Sequence, residues 1–227
     1  MKLVILAGGR GSRLAEYTNK IPKPMVRINN KPIIEYIIDH FKNFGIDEVI
    51  IASGYKHKII KDHFKSHKLY QDIEINVINT GIKTLTGLRI KKLERHLKNE
   101  DYFFLTYGDG VSDINIKKLL RFHKEHGKIA TLTAVHPPAR FGELKLRGNR
   151  IKNFNEKPQL TSGWINGGFF VFKKKIFKFL SKKNVMFERE TIQKLLKQNN
   201  FMAYKHTGFW MCMDTSRDKE TLEGILK

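Results

Sequence analysis

The sequence predicts an α/β fold: a mostly parallel sheet flanked by helices, with a small α+β elaboration in the second half. Short apolar runs of strand length recur through the first 135 residues, and stretches with helical spacing separate them. After Pro137 that alternation gives way to paired short strands and isolated helices.

"KLVILA" (Lys2 to Ala7) is apolar throughout and predicts a strand buried on both faces. "KPIIEYIIDHFKNFG" places Ile33, Ile34, Ile37, Ile38 and Phe41 on one helical face, with Pro32 near its start and Gly45 as its stop. "DEVIIAS" is a second buried strand and "KHKIIKDHFKSH" a second helix. "IEINVI" (Ile73 to Ile78) alternates as a strand does, and "LRIKKLERHL" sets Leu88, Ile90, Leu93 and Leu97 on one helical face. "YFFLTYGDG" is a strand ending in a turn. "INIKKLLRFHKEHG" is a helix closed by Gly127, and "IATLTAV" is the next strand. Beyond Pro137, "ELKLRGNRIKNFNEKP" reads as two strands around a Gly-Asn turn. "WINGGFFVFKKKIFKFL" is a strand running into a helix, and "ERETIQKLLKQ" is a further helix. "FWMCMDTSRDKETLEGIL" is a strand or loop followed by a last helix. No linker, repeat or low-complexity tract interrupts the 227 residues, so a single domain is expected, with one half at 1–135 and the other at 136–227.

Bulk composition narrows the class. There is no apolar run long enough to span a bilayer and no signal-peptide pattern, and the single Cys212 cannot form an internal disulfide. A soluble cytoplasmic protein is the expectation. The net charge of +21 fits a nucleic-acid partner or a small anionic substrate. The lysines are spread along the whole chain, and most aromatics lie inside apolar patterns such as "YFFL" and "GGFFVF". An RNA binder should instead show a basic stripe with exposed aromatics, so no nucleic acid is expected.

Chemistry concentrates where strands end. In "VILAGGRGSRL" (Val4 to Leu14) an apolar run stops at Gly8 and Gly9, with Arg10 and Arg13 following. Ligands of open parallel sheets bind at the carboxyl ends of the strands. Glycines there bring backbone N–H groups to phosphate oxygens, and arginine adds a fork suited to phosphate. A tight turn with surface arginines is the alternative. The segment is not a Walker loop, because no "GK[ST]" follows, and not a dinucleotide fingerprint, because Ser53 stands where an acidic residue is required. In "KIPKPMVRI" two prolines stiffen the chain around Lys23. In "TYGDG", Asp109 sits between two glycines at the same sheet edge as Gly8. A carboxylate beside a phosphate loop calls for a cation, for which Mg²⁺ held by one or two carboxylates plus phosphate oxygens is the usual answer. "FWMCMDT" offers Asp214 as the second carboxylate. "NEKP" fixes Lys157 before a proline, and Gly167 and Gly168 expose backbone within "INGGFFVF". No zinc motif and no nucleophilic triad is readable.

"LAGGRGSRL", "PKPM", "YGDG", "FNEKP", "INGGFFVF" and a late "MDT", in this order, resemble the sugar-1-phosphate nucleotidyltransferases over essentially the whole chain, and "TGLRIKKL" and "TYGDGVSDINI" resemble their cytidylyl-transferring branch. The resemblance implies a Rossmann-like fold and transfer of a nucleotidyl group from CTP to a sugar 1-phosphate, foremost α-D-glucose 1-phosphate, with another NTP such as UTP or dTTP, or another phosphate or phosphonate acceptor, as the alternative. It implies that Leu6, Ala7, Gly8, Gly9, Gly11, Ser12 and Arg13 hold the nucleotide, with Lys23, Thr84, Arg89 and Gly108 adding contacts. By the same resemblance Arg13, Lys23 and Asp109 are the catalytic set, Asp109 and Asp214 are the Mg²⁺ ligands, and Gly142, Glu156, Lys157, Asn166 and Gly167 grip the sugar phosphate. A homo-oligomer is implied as well. Ser12 replaces the family's usual Thr and keeps the hydroxyl. The rival of a different class is a nucleotide-sugar sensor without turnover, against which the acidic pair Asp109 and Asp214 argues.

Overall fold

In the computed structural model, which describes residues 1–66, 70–138, 142–155 and 163–227, the first strand sets the layering. β1 (Lys2–Ala7) is buried from Leu3 to Ala7. Leu3 and Ile5 point into one core with Ile33, Ile37, Ile38 and Phe41. Val4 and Leu6 point into a second core with Ile90, Leu93, Phe103 and Leu105. The alternation of a strand therefore serves two cores, which is why the run is apolar at every position.

From β1 the chain passes through a 3₁₀ turn at Ser12–Leu14, the short α1 (Ala15–Thr18) and a second 3₁₀ turn at Lys23–Met25. The two-residue strands β2 (Arg27–Ile28) and β3 (Lys31–Pro32) pair as a ribbon and lead into α2 (Ile33–Lys42). Next come β4 (Glu48–Ser53), α3 (His57–Ser66), β5 (Glu74–Asn79), α4 (Thr86–Lys91) and β6 (Tyr102–Tyr107). β7 (Gly110–Ser112), α5 (Ile116–His126) and β8 (Ala130–Val135) complete the first half. The second half holds β9 (Glu143–Arg147), β10 (Arg150–Asn155), β11 (Ile165–Lys173), α6 (Ile192–Lys197), β12 (Phe201–Lys205), β13 (Trp210–Cys212) and α7 (Ser216–Ile225).

Seven strands form the main sheet in the order β12-β8-β11-β6-β1-β4-β5. β1 runs parallel to both β4 and β6, β4 to β5, and β12 to β8; β11 is antiparallel to both of its neighbours. The expected α/β fold with its mostly parallel sheet is what the chain adopts. Helix ends follow local chemistry: the Asn115 side chain accepts the Lys118 N–H at 2.9 Å to start α5, and Gly127 at φ 68° closes it. Thr215 and Asp218 form a capping box on α7.

Three readings change. The helix expected across Leu88 to Leu97 is split into α4 and a 3₁₀ turn at Glu94–His96. Arg89 is buried at 3 % exposure while Leu88 is only half-buried, because main-chain carbonyls draw the guanidinium inward. The helix expected after β11 is a single 3₁₀ turn, Lys174–Lys178, which buries Ile176 and Phe177 before the chain turns away at Ser181. The expected helix from Glu188 opens with a π turn, Phe187–Thr191, ahead of α6. β12 went unread because it is an edge strand of five residues whose side chains are at most half-buried.

Candidate active site

The carboxyl ends of β1 and β6 meet at the middle of the sheet. Leu6 pairs with Tyr107, and the Gly108 N–H donates to the Leu6 carbonyl at 3.1 Å. A cavity of about 390 Å³ opens there. Of the residues singled out from sequence, Leu6, Ala7, Gly8, Gly9, Gly11, Arg13, Lys23, Arg89, Gly108, Asp109, Asn166, Gly167 and Asp214 all line it.

At its centre Lys23 sits between two carboxylates. Its Nζ donates to Asp109 Oδ2 and, at 2.7 Å, to Asp214 Oδ1. Arg13 Nη1 reaches Asp214 Oδ2 at 2.7 Å. Lys23 is 9 % exposed, held at the start of the 3₁₀ turn by Pro22 and Pro24. Burial by itself would lower the pKa of that ammonium, yet the charge and hydrogen bonds of Asp109 and Asp214 outweigh it and raise the pKa above its ordinary value. For Asp214 burial pulls upward, but the hydrogen bond and charge of Lys23, with Arg13 behind them, hold the carboxyl below its ordinary value.

Asp109 and Asp214 are 105 positions apart and converge for a structural reason. β7 and β13 pair antiparallel with Cys212 opposite Gly110, and the Met213 N–H donates to the Asp109 carbonyl at 2.9 Å. The Asp214 N–H in turn donates to Asp218 Oδ2 at 3.0 Å, which ties that loop to the cap of α7.

The two opening glycines serve different ends. A Cβ on Gly8 would stand 1.9 Å from Arg89 Nη1, so this glycine makes room for the guanidinium. A Cβ on Gly9 would meet nothing within 4 Å, so this backbone faces open space. Arg89 donates through Nη1 to the Ser53 carbonyl at 2.8 Å and to Thr80 Oγ1. Through Nη2 it donates to the carbonyls of Gly81 at 3.1 Å and Thr84 at 2.6 Å. It thus ties the end of β4 to the loop that follows β5, packs against Gly8, and borders the cavity as a brace.

Other expected residues fall elsewhere. Thr84 does not line the cavity; its hydroxyl donates to the Thr80 carbonyl at 2.7 Å, and Thr86 lines the wall instead. Ser12 is exposed in its 3₁₀ turn. Gly142 precedes β9 away from the lining, and Glu156 and Lys157 lie outside the described residues. Gly168 answers to a protein neighbour as well: its φ is +78°, and a Cβ would stand 2.5 Å from Tyr107 Cδ2.

Sequence reasoning missed one wall. Glu188, in the π turn, accepts the Thr86 hydroxyl and the Tyr107 hydroxyl, each at 2.6 Å. Asn166 Nδ2 approaches the Tyr107 oxygen at 3.4 Å, and Trp210 Nε1 donates to the Gly167 carbonyl at 2.7 Å. Burial, then the Glu188 charge, raises the Tyr107 pKa, so the phenol stays protonated. A π turn next to a cavity is a recurring functional feature, but sequence spacing does not announce it.

The arrangement suits a hard cation. Two carboxylates already converge on one positive centre, the Lys23 ammonium, and the donors are oxygens, as Mg²⁺ requires. Among the described residues no cluster of three or more His, Cys, Asp or Glu could hold a metal alone, so ligand phosphates or water would complete the shell.

A mostly parallel sheet with a glycine loop and an ion cluster in a strand-end cavity is the plan of an α/β nucleotide-handling protein. Over residues 2–217 the chain matches the nucleotidyl transferase family, and it belongs to that family. It is 41% identical to the glucose-1-phosphate cytidylyltransferase of Salmonella typhimurium, over 99% of this chain and 95% of that one. It is 32% identical to the mannose-1-phosphate guanyltransferase of Hypocrea jecorina, over 99% of this chain and 63% of that one. Among solved structures, HddC from Yersinia pseudotuberculosis complexed with GMP-PN superposes with a TM-score of 0.79 at 23% identity, covering 100% of this chain and 99% of that one. UDP-glucose pyrophosphorylase complexed with UDP-glucose gives 0.75 at 17% identity, covering 99% and 97%. These two likenesses carry the fold. Among the described residues no helix is long and apolar enough to cross a membrane.

Proposed function

We propose that this nucleotidyltransferase moves a cytidylyl group from CTP to α-D-glucose 1-phosphate, giving CDP-glucose and pyrophosphate. The observation that carries the reading is near-full-length identity of 41% to a glucose-1-phosphate cytidylyltransferase, in a chain whose Lys23, Asp109, Asp214 and Arg13 form one ion cluster in the strand-end cavity.

A phosphate oxygen of the sugar phosphate attacks the α-phosphorus of CTP. The new P–O bond forms as the α–β P–O bond breaks in line, and its electron pair leaves with pyrophosphate. The attacking oxygen is already ionised, so no general base is needed. The protein's task is to bring two polyanions together and offset their charge. Backbone N–H groups of the glycine loop around Gly9 receive the nucleotide phosphates, and Arg13 and Lys23 turn toward the charge that develops on the leaving pyrophosphate. Asp109 and Asp214 would hold Mg²⁺, which when bound neutralises phosphate charge and fixes its geometry. Asn166 and the Gly167 backbone border the acceptor side, with Glu188 fixing Tyr107 behind them. Gly142, Glu156 and Lys157 belong to the acceptor side by resemblance. Both halves act as one domain in this scheme, in a cytoplasmic homo-oligomer.

The test is pyrophosphate release with Mg²⁺, crossing CTP, UTP, dTTP, ATP and GTP against glucose 1-phosphate and other sugar 1-phosphates. Release with CTP and glucose 1-phosphate at a kcat/KM at least tenfold above every other pair is expected. Preference for another pair moves the specificity and keeps the chemistry. Absence of release from folded protein with every pair removes the reading.

A further inference from the structure

At the opposite end of the sheet lies a second concave site that the proposed reaction does not use. β6 begins there at Tyr102, and at about 3.3 Å per residue it lies roughly 16 Å from Tyr107 along the strand. A cavity of about 540 Å³ opens between this end of β6 and the 3₁₀ turn after β11. Lysines dominate its wall: Lys98, Lys173, Lys174, Lys175 and Lys178 face only two carboxylates, Glu94 and Asp101. Glu94 is already engaged by Lys91 at 2.8 Å. The wall belongs to a dense basic segment, with six lysines and no acidic residue in the eleven positions from Lys173 to Lys183.

The lysines divide into two kinds. Lys173 and Lys174 are tied down, the first to the Gly127 carbonyl and the second to the Lys98 carbonyl. Those bonds shape the pocket and fix the 3₁₀ turn against α5 and the 94–98 segment. Lys98, Lys175 and Lys178 are exposed, and their side chains make no hydrogen bond or ion pair with any described residue. Three ammonium groups thus border one opening against a single carboxylate, Asp101, that is unpaired among the described residues. The floor is aromatic but closed: Phe177 is 4 % exposed, and the ammonium groups of Lys124 and Lys173 lie over the Tyr102 ring at 5.6 and 6.0 Å. A nucleobase has no free ring to stack on, whereas an anionic group has three free ammonium donors.

We propose that this pocket is a second anion site, and that the group it takes is phosphate, carried either by a soluble polyphosphate or by a lipid headgroup. Lysine presents a mobile point charge with three donors, which suits a phosphate that can rotate within the site. The two carriers share this chemistry and differ in what accompanies it.

The test titrates inorganic pyrophosphate into the full isotope-labelled chain and follows backbone amides residue by residue. Shifts at Asp101, Tyr102 and Lys174 to Lys178 that saturate separately from those at Gly8 to Arg13 are expected. The Lys175→Glu/Lys178→Glu double variant should weaken the first set roughly tenfold or more while pyrophosphate release stays within twofold of wild type. In a parallel arm, the chain is sedimented with phosphatidylcholine vesicles with and without phosphatidylglycerol. Amide shifts without co-sedimentation assign the site to a soluble ligand. Co-sedimentation that needs phosphatidylglycerol and is lost in the double variant assigns it to a headgroup. The proposal is overturned if neither occurs, or if the double variant binds as tightly as wild type in both arms.

Discussion

Replacing Lys23 with Met removes the positive centre of the ion cluster and keeps most of its volume. At 2.7 Å and an effective dielectric of 20, the contact with Asp214 is worth about 6 kcal/mol before desolvation is counted. Desolvation returns much of this, since Lys23 is nearly buried and the Asp109 and Asp214 side chains keep 26% and 14% exposure. Breaking a fully buried pair costs about 3–5 kcal/mol, and with water able to reach Asp109 a loss of about 2 kcal/mol is expected here. For a domain of this size that lowers Tm by about 4–8 °C. The carboxylates left behind repel each other and lack a competitor, so Mg²⁺ should bind the variant roughly tenfold more tightly than the wild type, in keeping with loss of about one unit charge at short range. Turnover should nevertheless fall by roughly 10²–10³, because the contact to the leaving pyrophosphate is gone. Thermal unfolding across a Mg²⁺ series, paired with pyrophosphate release, reads all three quantities. A variant whose Tm gains no more from Mg²⁺ than the wild type's would show that Lys23 does not occupy the cation position. A rate within tenfold of wild type would remove Lys23 from the transition state.

Other perturbations test the remaining parts. Asp109→Asn should shift the Mg²⁺ dependence of turnover to at least roughly tenfold higher concentration, and an unchanged metal response would reassign the ligand. Gly8→Ala should cost about 2–3 kcal/mol in urea unfolding, since the new Cβ would displace Arg89 from its carbonyls, and a loss below about 0.5 kcal/mol would contradict the close contact. The stability contributed by the cluster should hold across neutral pH. Asp214 has a depressed folded pKa, so its share is complete above the ordinary carboxylate value of about 3.9 and is lost as pH falls through the folded value. Lys23 has a raised folded pKa, so its share is complete below about 10.4 and is lost only as pH rises through the folded value. The wild-type minus Lys23→Met stability difference, measured from pH 3 to 11, checks both signs. Burial, with Asp214 and Asp109 adding to it, pushes the Cys212 thiol up to about 12, so iodoacetamide at pH 8 should modify it far more slowly than free cysteine. Labelling at the rate of an unfolded control would contradict that burial.

Most of the fold was legible because the strands carry their signal in composition. β1, β4 and β6 are apolar on both faces, and only a sheet covered on both sides asks for that. The candidate site was legible where a strand end coincided with glycine, as at Gly8 and Asp109, where prolines flank a lysine, as at Lys23, and where an apolar run stops at a carboxylate, as at Asp214. Arg89 is a nucleotide contact by resemblance, yet its main-chain partners are Ser53 at the end of β4, 36 positions away, and Gly81 and Thr84 in the loop between β5 and α4, and no local pattern encodes the contact with Ser53. Glu188 escaped for the same reason: its partners Thr86 and Tyr107 lie 102 and 81 positions away, and helical spacing through "ERETIQKLL" hides the π turn that aims it. The helix expected at "IFKFL" is instead the short 3₁₀ segment Lys174–Lys178, because those five residues suffice to bury Ile176 and Phe177.

The ion cluster has a consequence for how the molecule comes together. Lys23 and Asp214 are separated by 191 positions, and Asp109 stands near the midpoint between them. No contiguous stretch shorter than most of the chain contains all three, so no partially structured species built from local segments can bring them into register. The β7–β13 pairing that aligns the two carboxylates is itself a long-range closure and belongs among the slower events of assembly. During refolding, far-UV dichroism should recover before pyrophosphate release does. The interval between the two signals would time the final annealing of this protein.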